Sequence, residues 1–168
     1  MKLQYNDNLS KHLGLMFAQM EFVRSKLLER VCNYDLATLD FTPDDRKVET
    51  IATSLYHIAA VEYSWIFEDI FGEDMDFEEW KHGFALRSGI DIDQIKGREI
   101  SFYLDKLSEL RSKVFEKLST LDDRDMKREI TVDGEVFDIE WILFHVMEHE
   151  MQHLGQIILT ERLYRLQK

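Results

Sequence analysis

One proline and seven glycines are all that punctuate 168 residues, and between them apolar side chains return every three or four positions. A backbone so rarely interrupted runs in long helices, and that spacing lays an apolar stripe along one face of each. The first helix is expected over residues 8–33, with Leu13, Met16, Phe17, Met20, Val23, Leu27, Leu28 and Val31 on its inner face and Gln19, Glu21, Arg24 and Lys26 mostly opposite. A break follows from Asn33 to Asp45, where Pro43 reads as a turn or as the opening of the second helix. That helix runs to about Phe71 and stops at Gly72. Residues 72–98 read as a long crossover punctuated by Gly83, Gly89 and Gly97, with a short helical moment at Phe77, Trp80 and Phe84. The third helix is expected over 99–121. The stretch from Glu129 to Phe137 alternates around Asp133-Gly134, as a small hairpin or extended loop would, and orients a fourth helix that Asp138 caps and that ends near Leu166. The expected fold is all-α: a four-helix bundle, with the long crossover between helices two and three and a single domain over residues 1–168.

Charge narrows the partners. A net charge of -12 and a pI near 4.9 repel phosphate backbones and anionic lipids, and the Lys and Arg residues are scattered among acids, so neither nucleic acid nor membrane is expected as a partner. The most apolar long stretch, residues 51–71, carries His57, Glu62, Glu68 and Asp69 and is too polar to span a bilayer. Lone Cys32 excludes an intramolecular disulfide, and the N-terminus lacks the basic start and apolar run of a secretory signal; a cytoplasmic location is expected.

Chemistry concentrates at His149-Glu150-Met151-Gln152-His153, an H-E-x-x-H pattern on the fourth helix. Four residues rise about 6 Å, so both imidazoles leave one face and can share an ion. The same letters mark zinc proteases, but the continuation disagrees with that reading: Gln156 and Leu159 stand where a metzincin has Gly and its third His. The 15 residues after His153 continue one helix, on which Glu161 is a poor ligand. His145 lies about 12 Å along the axis from His153, too far to share an ion with it. His12, His57 and His82 remain, and only His57 sits in the middle of a helix, beside small Ala59 and Ala60 that would permit close helix approach.

His57 in L-Y-H-I-A-A-V-E-Y-S-W, followed by F-H-V-M-E-H-E-M-Q-H-L-G-Q-I, resembles the DinB/YfiT-like family over nearly the whole chain. The resemblance implies an up-down-down-up four-helix bundle, often a homodimer, with His57, His149 and His153 holding a divalent metal such as zinc, nickel or iron. It implies a small-molecule substrate and a transferase activity that uses a low-molecular-weight thiol such as bacillithiol, the metal activating the thiol for attack on an electrophile. A metal-dependent hydrolase and a non-catalytic metal-binding dimeric module are the alternatives. Many members carry a double His before Arg-Gly-Gln, where this chain has Gln152-His153-Leu154-Gly155-Gln156, so substrate contacts are expected to differ.

Glu150, Glu148 and Gln156 are the candidates for proton relay or for hydrogen bonding near the ion; Glu150, offset about 100° from His149, is equally placed to face solvent. His145 is expected to support the site rather than ligate, and His12 and His82 to lie at the surface. Trp65, Trp80 and Trp141 could line a cleft, yet Trp65 and Trp141 are expected in the core, as is Cys32. The acid-rich run from Glu68 to Glu79 is expected as a solvated face.

Overall fold

The computed structural model describes residues 3–44, 47–85 and 92–167; Asp45 and Gly89 lie outside them. Helix α1 spans Lys11–Val31, α3 Ile51–Tyr63, α5 Ile100–Leu118 and α6 Ile139–Arg165. Two single-turn helices, α2 (Leu36–Leu39) and α4 (Phe77–Trp80), punctuate the connections. Strands β1 (Glu129–Val132) and β2 (Glu135–Asp138) pair antiparallel, Glu129 opposite Asp138 and Val132 opposite Glu135.

Local chemistry sets these boundaries. The Asp138 carboxylate accepts from the Trp141 N–H and starts α6, and Thr50 does the same for α3 through Thr53. Asp133 and Gly134 both have positive φ, 51° and 85°, the pair that a two-residue hairpin turn demands. Gly72, at φ 69°, ends the second long helix as expected. Pro43 does not open that helix: α2 occupies part of the break, and α3 begins only at Ile51. The last stretch of this helix, Ser64–Ile70, is wound as a π-helix, a widening that three-and-four spacing does not announce.

Interhelix pairs fix the directions. His12 meets Glu140, Arg24 meets Glu150 and Arg30 meets Glu161, so α1 and α6 run parallel. Tyr56 stacks on Phe102 and Glu62 pairs with Arg111, so α3 and α5 are parallel too. Phe17 packs on Phe115 while Arg24 reaches the Leu107 carbonyl, which makes α1 and α5 antiparallel. The order is up-down-down-up, and the segment from Phe71 to Glu99 is the crossover between the two parallel middle helices. Leu13, Leu27, Leu55, Ile66, Leu107, Leu118 and Ile142 are fully buried in one core that all four helices share.

That core is not wholly apolar. Arg24 from α1, Glu62 from α3, Arg111 from α5 and Glu150 from α6 meet inside it, each at most 5% exposed. Arg24 donates through Nε to Glu150 at 2.6 Å and through Nη2 to Glu62 at 2.7 Å. Arg111 donates through Nε to Glu62 at 2.6 Å and through Nη2 to Glu150 at 3.2 Å. Burial opposes the charge on Arg24, but Glu62 and Glu150 outweigh it and hold the guanidinium above its ordinary pKa. Burial likewise raises Glu62, yet Arg111 and Arg24 leave it below the usual carboxylate range. Arg24 is thus on the buried face of its helix, not the polar face expected for it, because two carboxylates from other helices neutralise it there.

Candidate metal centre

The three histidines are brought together. His149 Nε2 lies 3.1 Å from His57 Nε2 and 3.1 Å from His153 Nε2, and the three nitrogens all fall within 4.8 Å of one another. Two imidazoles on one zinc at about 2.0–2.1 Å in tetrahedral array place their nitrogens about 3.3 Å apart, so the residues present fit a divalent cation. His57 is fixed by its other face: Nδ1–H donates to the Gly83 carbonyl at 2.5 Å, which leaves the Nε2 lone pair free toward the cluster. His153 is 9% exposed, and its Nδ1 makes no hydrogen bond, the nearest carboxylate oxygen, that of Glu49, being 3.9 Å away.

Gly83 is the residue that sequence reasoning undervalued. A Cβ there would lie 2.6 Å from the Ala60 Cβ and 3.3 Å from the Tyr56 carbonyl oxygen. Only glycine lets the 3-10 turn Lys81–Phe84 sit flat on α3 and bring its carbonyl to His57. Ala60 therefore serves approach of this turn, whereas the expected reason for its small size was approach of a second helix. The signal was the pairing of a Gly in the crossover with two Ala beside a histidine.

The two imidazoles on α6 are held neutral. Burial comes first for His149, followed by His153, His57 and His145, and together they push its pKa down to about 3. Burial and then His57 push His153 down to about 4. Both folded values lie below the ordinary 6.5, so the unfolded chain takes up protons first as pH falls. The stability that these neutral rings contribute is complete above pH 6.5 and is lost as the solution is acidified through about 4 and then about 3. In metal-free protein the melting temperature of the wild type is expected to fall more between pH 7 and pH 5 than that of His149→Gln. Parallel melting curves for the two proteins would show that His149 carries none of the acid sensitivity.

A cavity of about 500 Å³ opens beside His57 and His149. One wall is α3 and its π-helical continuation, through Val61, Ser64, Trp65, Glu68 and Asp69. The hairpin turn supplies Val132 and Asp133, and Phe84 and His145 complete the lining. Burial, then Glu68 and Asp133, push the Asp69 carboxyl up to about 6.

Other expectations resolve plainly. Trp65 is half-buried against the core and also lines the cavity, whereas Trp141 is 40% exposed and is not the core residue expected. Both belong to a ladder in which Phe137 stacks on Trp141 and Trp141 on His145, with Trp65 edge-on to all three. Trp80, by contrast, is buried. His145 faces the cavity and lies 3.5 Å from a Glu148 oxygen; Glu148 also accepts from Gln152. Gln156 is exposed and outside the cavity lining, and Cys32 is exposed at the end of α1, where the apolar stripe has run out. Glu150 faces neither solvent nor the cavity; both of its oxygens are taken by Arg24 and Arg111, which removes it from the cavity's chemistry. His12 pairs with Glu140 at the surface, and His82 meets the Asp93 carbonyl.

An up-down-down-up bundle with imidazoles converging from its second and fourth long helices is a histidine-cluster bundle. The sequence model of the DinB superfamily matches residues 19–157, and the chain belongs to that superfamily. No curated protein matches it. Among solved structures it is similar to a conserved protein from Enterococcus faecalis at 15% identity and TM-score 0.69, over 89% of this chain and 94% of that one. It is also similar to YfiT from Bacillus subtilis, described as a probable metal-dependent hydrolase with an unusual four-helix bundle topology, at 20% identity and TM-score 0.65, over 96% and 93% of the respective chains. At these identities the likeness speaks to the fold. None of the described helices is long and apolar enough to cross a membrane.

Proposed function

We propose that this chain is a metal-dependent enzyme in which His57, His149 and His153 hold a divalent cation beside the cavity. The observation that carries this reading is the convergence of three Nε2 atoms at ligand spacing with open space on one side. The description of YfiT as a probable metal-dependent hydrolase supports it. An ion in such a site supplies Lewis-acid activation of a nucleophile, and an all-imidazole donor set suits zinc, nickel or iron.

The protein's own residues do the rest. Gly83 holds the His57 ring in the tautomer that presents a lone pair, and burial keeps His149 and His153 unprotonated at neutral pH. Trp65 and Phe84 give the cavity an apolar wall on which an organic reactant can rest. The reaction proposed is transfer of a low-molecular-weight thiol to an electrophile, because a water molecule occupies only about 30 Å³ and the cavity leaves room for two organic reactants. Hydrolysis is the second reading, favoured by Asp69: a carboxyl pushed up to about 6 on the cavity wall is suited to exchange protons near neutrality.

The test is a thiol-consumption assay with 1-chloro-2,4-dinitrobenzene and a panel of cysteine, cysteamine, glutathione and bacillithiol, run with and without added zinc, nickel or iron. Metal-dependent loss of at least one thiol is the expected result. Cleavage of an activated ester with no thiol dependence would move the reading to hydrolysis, and inactivity in both assays with metal bound would remove both.

A further inference from the structure

We propose that Glu49 is the positioning residue of His153: its carboxylate accepts the Nδ1–H of that ring when the three Nε2 atoms share a cation. This rests on the reading of the histidines as a metal centre and adds the residue that holds one of its donors in place.

The two nitrogens of His153 face different surroundings. Nε2 points into the cluster, 3.1 Å from that of His149, and a neutral imidazole that offers a lone pair there carries its proton on Nδ1. That Nδ1 is shut off from solvent and has no hydrogen-bond partner, whereas the corresponding nitrogen of His57 is satisfied by the Gly83 carbonyl. A buried N–H without an acceptor is rare in a native interior. Glu49 Oε2 stands 3.9 Å away, about 1 Å beyond a charge-assisted N–H···O bond.

Glu49 is placed there by the residues on both sides of it. Gln94, from the crossover, donates through Nε2 to the Val48 carbonyl at 3.2 Å and accepts the Thr50 N–H at 2.6 Å. The Thr42 hydroxyl donates to the same Val48 carbonyl at 2.8 Å, and the Thr50 hydroxyl caps α3 through the Thr53 N–H. With the backbone gripped before and after it, Glu49 reaches His153 by its side chain alone. The Ser54 hydroxyl, at 3.0 Å, draws that side chain against α3 through the oxygen that faces His153, and a carboxylate oxygen has lone pairs for both. Charge adds to reach. Three neutral imidazoles bring no negative charge to a divalent cation, and a carboxylate on the outer nitrogen of a ring makes that ring a stronger donor.

Affinities of the metal-free full chain for zinc, nickel and ferrous iron, measured by competition with a chromophoric chelator, test this in wild type, Glu49→Ala and Glu49→Gln. Glu49→Ala is expected to lose about 10–100-fold, the range for removing a ligand's outer hydrogen bond. Glu49→Gln keeps an acceptor oxygen without the charge and should recover part of the loss. Melting temperatures of the three metal-free proteins should nearly coincide. Proton–nitrogen NMR of the zinc-loaded histidine rings reads the bond itself: wild type should show a downfield, slowly exchanging Nδ1–H from His153 that is lost to exchange in Glu49→Ala. Wild-type affinity in Glu49→Ala, an unaltered His153 signal there, no recovery in Glu49→Gln, or a loss matched by a lowered metal-free melting temperature would each overturn the proposal. Metal held equally by all three proteins defeats this inference alone, whereas a wild type that holds none of the three metals defeats the functional reading and this inference with it.

Discussion

Arg24→Ala will destabilise the fold by about 3–5 kcal/mol, the range for breaking a buried ion pair by removing one partner. The cost comes less from the bonds lost than from what remains. Glu62 and Glu150, each 1% exposed, would be left with Arg111 alone of their two arginine partners, and the Leu107 carbonyl would lose the side-chain donor it has beside its helix bond. A domain with ordinary stability of about 5–15 kcal/mol loses a large part of it in such a change. Urea denaturation measures the loss directly. The double variant Arg24→Met/Glu150→Met should cost less than the sum of its single variants, because it removes one cation and one anion together. Additive losses would show that the four charges do not act as a network, and a loss under about 1 kcal/mol, the scale of a surface pair, would show that they are hydrated.

The second large effect concerns the histidines. His57→Ala removes one of three donors and is expected to abolish stoichiometric metal retention in untagged protein while leaving the melting temperature of the metal-free form nearly unchanged, since His57 is only half-buried. Gly83→Ala leaves every donor in place but drives a methyl into Ala60 and lifts the carbonyl from His57. Loss of such an outer hydrogen bond costs about 10–100-fold in metal affinity. Competition with a chromophoric chelator gives both numbers. Wild-type affinity in His57→Ala would dismiss it as a ligand, and wild-type affinity in Gly83→Ala would dismiss the tautomer argument.

The helices were legible wherever a local signal fixed them. Leu107, Leu110, Val114 and Leu118 all bury the face that their spacing selected, and Asp138, Asp133-Gly134 and Gly72 act through hydrogen bonds or dihedral preferences contained within a few residues. The resemblance supplied what spacing could not, namely that His57 and the pair on the last helix belong together. Arg24 escaped because its partners lie 38 and 126 residues away, and a charge on a helix reads as outward until both are known. Trp141 escaped for the opposite reason: its spacing is that of a core residue, but the hairpin before α6 gives it stacking partners at the surface. The π-winding of Ser64–Ile70 depends on what packs there and leaves no mark in composition or periodicity, and the small residues Gly83 and Ala60 gain their meaning only once the fold sets one against the other.

The parallel pairing of α1 with α6 has a consequence for how the molecule comes into being. The first long helix packs most extensively on the last, so its chief contacts span nearly the whole chain, unlike those of a bundle built from successive hairpins. Bringing them together carries the loop-closure entropy of everything between, and high contact order slows folding. During synthesis α1, α3 and α5 must wait, with apolar faces and Arg24 and Arg111 lacking Glu150, until α6 emerges from the ribosome. The helix that brings His149 and His153 is therefore the same one that closes the bundle, and the three histidines cannot meet before it is made.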